Sequence, residues 1–122
     1  MTKHILSISY DESLLRTREM LLRGEGYLVT SALGQTNAIE QCKKGNFDLL
    51  ILGHSIPNQD KSELINMFRH HCPSPVLALR RQGEDTPDGA DAHAFPDDID
   101  AFLRMVDDIL HTGAPEGKSI ED

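Results

Sequence analysis

Four consecutive large aliphatics, Leu49-Leu50-Ile51-Leu52, stand between Asp48 and the run Gly53-His54-Ser55-Ile56-Pro57, and this stretch constrains the fold more than any other. A strand wetted on one face alternates apolar and polar residues. An unbroken apolar run closed by turn residues instead marks a central strand covered on both faces, as parallel sheets require. Ligands of open parallel sheets sit beyond the carboxyl ends of the strands. The residue delivered there is Gly53, which offers no side chain for chemistry.

Strand and helix signals alternate around that run. His4 to Ile8 reads as a strand, and Asp11 or Ser13 caps a helix carrying Leu14, Leu15, Leu21 and Leu22, a stripe that Arg18 interrupts. Gly24 and Gly26 stop this helix, Tyr27 to Val29 begins a second strand, and a helix with Ala38, Ile39 and Cys42 runs to Gly45-Asn46. A third helix is predicted from about Lys61 to His70, with Leu64, Met67, Phe68 and His71 at helical spacing. Val76 to Leu79 is a short fourth strand and Ala92 to Phe95 a weaker fifth. A last helix starts at Asp97 or Asp98, and its Ile99, Phe102, Leu103, Val106, Ile109 and Leu110 form the clearest amphipathic stripe in the chain.

This order predicts an α/β fold in three layers, a five-stranded parallel sheet with helices on both faces. One helix is shortened or absent. Between Leu79 and Gly89, Arg80 to Asp88 carry no large apolar residue and include both Gly83 and Pro87, so a loop or a single helical turn is expected there. One domain is expected over residues 1–111, followed by a flexible polar tail over 112–122 with Gly113, Pro115 and Gly117.

A chain of 122 residues can bury a core without staples, and with 39% apolar residues, few aromatics and no Trp that core is mainly Leu, Ile, Val and Ala. Twenty acidic against 12 basic residues give a net charge of −8, which opposes attraction to nucleic acid and to anionic lipid. Protein or small-molecule partners are expected instead. Cys42 and Cys72 lie on separate helical segments outside any CxxC motif, and reduced thiols in a cytoplasmic protein are the simplest expectation. No apolar run approaches the roughly 18 residues of a membrane span.

Several segments in order, Ile5 to Ile8, Gly26 to Val29, Phe47 to Leu52, Ile56-Pro57, Asp60, Glu63-Leu64, Pro75 to Leu79, Gly89-Ala90-Asp91 and Phe95-Pro96, give the chain its family resemblance. From about His4 to Leu110 it resembles the receiver domains of response regulators, which are CheY-like and flavodoxin-like. That resemblance implies an aspartate phosphorylated at the end of the third strand, an acidic pair that helps it hold Mg²⁺, a hydroxyl residue ending the fourth strand, and a lysine before a proline. Hard cations want such clustered carboxylate oxygens. The corresponding positions here are Gly53 for the acceptor, Ser9 and Tyr10 for the acidic pair, Arg80 for the hydroxyl and Phe95 for the lysine. Only the neighbouring Asp11 stays acidic. Nucleophile, metal ligands, sensor and cationic clamp are all replaced, which removes the groups that phosphoryl transfer needs.

Other constellations carry less. His54 and Ser55 neighbour the acceptor position, but side chains alternate along a strand, so a one-residue offset points to the opposite face or into the loop. Asp11, His54 and Asp60 fall at the same sheet end, where solvated loop residues are commoner than a metal site. His70-His71-Cys72 are adjacent on a helix, point about 100° apart and do not readily share one ion. Asp97, Asp98, Asp100, Asp107 and Asp108 read as a capping cluster and a solvated face. Arg80 and Arg81 project to the crevice edge. Arg80 pairs internally with Asp11 or Asp60, lies in solvent, or joins Arg81 in binding an anion.

The expected function is a pseudo-receiver: a phosphorylation-independent protein-interaction module in or near two-component signalling, with no cofactor, no metal and no enzymatic activity. Its partner is a signalling protein, and a homodimer is left open. The alternative is a sensor of a small anion or nucleotide at the crevice near Arg80 and Arg81.

Overall fold

The computed structural model describes residues 2–81, 83 and 89–112. Its elements in chain order are β1 (His4–Ser9), α1 (Glu12–Gly24), β2 (Leu28–Leu33), α2 (Gln35–Lys44), β3 (Leu49–Leu52), α3 (Asn58–His71), β4 (Val76–Leu79), β5 (Ala92–Ala94) and α4 (Ile99–Thr112). The strands form one five-stranded sheet in the order β2-β1-β3-β4-β5, every neighbouring pair parallel. The α/β architecture expected from the alternation of elements is therefore the one found.

Period-two alternation sorts the strand residues between two cores. Ile5, Leu49, Ile51, Leu77 and Leu79 face Leu22 of α1 and Phe102, Val106 and Ile109 of α4. Leu6, Ile8, Leu50, Leu52 and Val76 face Ala38 and Cys42 of α2 and Leu64 and Phe68 of α3. β3 is buried along its whole length because it lies between β1 and β4 with helices on both sides. Ser7 and Gly53 fall on the α1/α4 face with Ile5 and Ile51, and Gly53 N extends the β1–β3 ladder by donating to the Ile8 carbonyl at 2.9 Å.

Two expectations need correction. The third helix begins at Asn58, a turn before Lys61, and Lys61 N donates to the Pro57 carbonyl at 2.9 Å. Its inward stripe is Lys61, Leu64, Ile65 and Phe68, continued by Cys72; His71 is exposed. The cysteines are not free thiols. Cys42 and Cys72 form a disulfide with their Cα atoms 5.7 Å apart, because α2 and α3 pack side by side on one face of the sheet and point both residues into the same core.

Between β4 and β5, the described residues Arg80, Arg81, Gly83 and Gly89–Asp91 are not helical; the rest of the shortened-helix expectation, and the tail beyond Thr112, lie outside the described residues. Among the described residues no helix is long and apolar enough to cross a membrane.

Candidate functional site

The carboxyl ends of β1 and β3 meet the inward face of α1 at Gly53. What fills the space over it is Arg18. This residue, which interrupts the apolar stripe of α1, is only 6% exposed. Its Nη1 donates to Ser7 Oγ at 3.0 Å and to the Ile8 carbonyl at 3.2 Å. A Cβ built on Gly53 would lie 2.7 Å from Arg18 Nη2 and 3.0 Å from the Ile8 carbonyl oxygen. Burial alone lowers the Arg18 pKa to about 10, and no carboxylate among the described residues pairs with it. The signal in the sequence is the interruption itself: a cation on the inward face of α1, opposite a glycine on the strand face it covers.

Ser9 and Tyr10, at the end of β1, are engaged in a polar knot. Ser9 Oγ and Ser55 Oγ are 3.0 Å apart, and Tyr10 N donates to Ser55 Oγ at 3.0 Å. Ser55, read from sequence as a loop residue, thus ties the β3–α3 loop to the β1–α1 turn. The Tyr10 hydroxyl donates to Asp60 Oδ2 at 2.9 Å. Burial first, then this hydrogen bond and the charges of Asp60 and Glu63, push its pKa up to about 12, so it remains a donor at neutral pH. Asp11 caps α1, its Oδ1 accepting from Leu14 N at 3.1 Å.

These placements decide the metal question on chemistry. Ser9, Tyr10 and Gly53 bring no carboxylate, Asp11 and Asp60 are turned to different donors, and a guanidinium occupies the space over Gly53. That set does not fit a hard divalent cation. Among the described residues no three His, Cys, Asp or Glu side chains group closely enough to hold a metal ion, so Asp11, His54 and Asp60 do not come together as one.

Arg80 lies beside Phe95 at the sheet end. Its guanidinium lies 4.9 Å from the centroid of the Phe95 ring, so the two side chains stack on each other as a cation–π pair. Arg81 is exposed and lines an open cleft with His54, Pro96 and Asp97. Lys61, only 1% exposed, reaches the same sheet end and donates from Nζ to the Leu79 carbonyl at 2.7 Å. Burial, then Arg80 and Lys61, lower the pKa of His93 on β5. Of the acidic set, Asp98 caps α4 by accepting from Ala101 N at 3.1 Å, and Asp107 accepts from the Tyr27 hydroxyl, so Asp107 is a structural acceptor and not only a solvated charge.

The sheet order, the helices on both faces and the crevice at the strand ends are those of the CheY-like receiver fold. The receiver domain protein of Methanospirillum hungatei JF-1 superposes with a TM-score of 0.80 at 21% identity, over 96% of this chain and 100% of that one. A two-component response regulator from Clostridium difficile gives a TM-score of 0.77 at 20% identity, over 89% and 96%. In sequence, the chain is 27% identical over 81 residues to the transcriptional regulatory protein ResD of Bacillus subtilis (strain 168), covering 66% of this chain and 34% of that protein. The chain thus spans about a third of that relative's length. No family model matches. The solved structures show that the chain has the receiver fold, and the ResD match adds a similarity in sequence over part of the chain.

Proposed function

We propose that the chain is a receiver-like protein-interaction module in or near two-component signalling whose state is not set by aspartyl phosphorylation. The carrying observation is the Arg18 guanidinium seated over Gly53, where a receiver would present its acceptor. Ser9, Tyr10, Arg80 and Phe95 at the other reactive positions point the same way, because they supply neither nucleophile nor metal ligands. The role is one of binding and not of catalysis. An anion site at Arg80 and Arg81 is the weaker alternative, since Arg80 lies against Phe95. A cytoplasmic setting belongs to the proposal, although such compartments reduce accessible disulfides; here both sulfurs are buried in the α2/α3 core.

The test is incubation of the wild-type chain with radiolabelled acetyl phosphate and Mg²⁺, and with a phosphorylated histidine kinase. No acid-stable or acid-labile label is expected on the protein. Stoichiometric incorporation would overturn the proposal.

A further inference from the structure

Between α1 and α4, on the sheet face that carries Gly53, lies a cavity of about 120 Å³. Leu14, Leu21, Leu79 and Phe102 contribute apolar walls, and Arg18 and His54 also line it. Apolar walls with a few convergent polar groups are the usual composition of a small-ligand site.

Arg18 distinguishes this cavity from a packing gap. Both of its hydrogen bonds go to neutral oxygens, those of Ser7 and Ile8, and both leave from Nη1. Among the described residues no carboxylate meets its charge, whereas Arg16, Arg23 and Arg69, all on the surface, each pair with an acid. Burying an uncompensated cation carries a penalty of several kcal/mol. In a chain with 20 acidic residues, leaving this guanidinium without one is a marked choice of sequence.

We propose that the α1–α4 cavity binds a small monocarboxylate with an apolar body about the size of a benzene ring, its carboxylate on Arg18 and its body among Leu14, Leu21, Leu79 and Phe102. A guanidinium recognises a carboxylate through paired, charge-assisted hydrogen bonds. A dry cavity of about 150 Å³ accepts benzene; this one is smaller but open to solvent on one side, so a single ring or a short branched chain fits with part of its edge exposed, and a nucleotide does not. His54 lines the same space and sits beside Gly53 in the chain, so occupancy reaches the strand end that the receiver fold uses for switching. The proposal is independent of the protein-interaction role: it names a ligand whether or not the chain docks on a partner.

The test is a titration of the ¹⁵N-labelled wild-type chain with benzoate near neutral pH, followed by amide chemical shifts. Benzyl alcohol supplies the ring without the charge, and inorganic phosphate the charge without the ring. Saturable benzoate shifts clustered at Leu14, Thr17, Arg18, Leu21 and His54 are expected, with benzyl alcohol and phosphate each weaker by about tenfold or more, the scale of one charge-assisted hydrogen bond or one buried ring. Benzoate shifts that fail to saturate or cluster elsewhere, or equal binding of either control, overturn it. Arg18→Met removes the charge and Leu21→Trp fills the cavity, and each should abolish the benzoate shifts. Should either variant fail to fold, the three probes on the wild-type chain still decide.

Discussion

The Arg18 guanidinium stands where a side chain on residue 53 would begin, with Nη2 at 2.7 Å from the position of a Cβ on Gly53. Helix α1 and strand β3 are thereby matched to each other: a glycine accommodates the arginine, and the arginine fills the space over the glycine. The second neighbour of that Cβ position is the Ile8 carbonyl oxygen at 3.0 Å, a backbone atom held by bonds from Gly53 N and Arg18 Nη1.

Gly53→Ala should therefore destabilise the fold by about 1–3 kcal/mol, the usual range for overpacking a filled core. In an Arg18→Ala background part of that loss should disappear, because the nearer obstacle is gone. Urea unfolding of the two single variants and the double variant measures the coupling. A coupling below about 0.5 kcal/mol would mean that the two residues do not compete for one space.

Replacing Arg18 itself separates charge from volume. Arg18→Met keeps much of the stem, removes a buried charge that has no carboxylate partner, and gives up two hydrogen bonds, so stability should change by no more than about 1 kcal/mol. Arg18→Ala leaves a cavity against Gly53 and Ser7 and should lose about 2–4 kcal/mol. Equal losses for Met and Ala would show that the bonds to Ser7 and Ile8 outweigh the burial penalty.

His93 gives the chain a pH dependence of known sign. Its pKa in the fold is pushed below the ordinary 6.5 by burial, then by Arg80 and Lys61. The unfolded chain consequently binds the proton more readily, so this residue's contribution is fully present above about pH 6.5 and is lost as the pH falls through the window beneath it. The difference in slope between wild type and His93→Gln, at most about 1.4 kcal/mol per pH unit, reports it. Urea midpoints for the two proteins between about pH 5 and pH 7 supply the measurement, and parallel profiles would refute the assignment.

The Cys42–Cys72 bond closes a loop with a sequence separation of 30. Chain-entropy reasoning assigns such a loop about 3–4 kcal/mol. Thiol titration of the unreduced, unfolded chain should find no free sulfhydryl, and the Cys42→Ser/Cys72→Ser double variant should be less stable by that amount. Two free thiols in freshly purified protein would show the bond to be absent.

The layers of the fold were legible because burial on both faces leaves an unbroken aliphatic run, and amphipathic helices leave stripes. β3, β4 and α4 could be read directly from Leu49–Leu52, Val76–Leu79 and the stripe ending at Leu110. The first turn of α3, Asn58-Gln59-Asp60, carries no apolar residue to mark it, so the helix starts a turn before the predicted Lys61, which is itself buried. Its burial depends on a partner, the Leu79 carbonyl, that is distant in sequence.

The site divided in the same way. Which residues stand at the strand ends, Gly53, Ser9, Tyr10, Arg80 and Phe95, is a property of the sequence. What those groups do depends on which side chains the fold brings beside them. Arg80 meets Phe95, Tyr10 meets Asp60, and Ser55 meets Ser9 across the strand ends, each over a separation that no local pattern encodes. The disulfide was missed for the same reason, since only the packing of α2 against α3 makes neighbours of Cys42 and Cys72.

The sequence by itself determined the parallel sheet and the glycine that follows its third strand, because hydrophobic periodicity and residue identity are local properties. Only the tertiary structure decided that Arg18 fills the place left at Gly53: a helix turn and a strand end lie 35 residues apart in the chain, and whether they share a volume is set by packing.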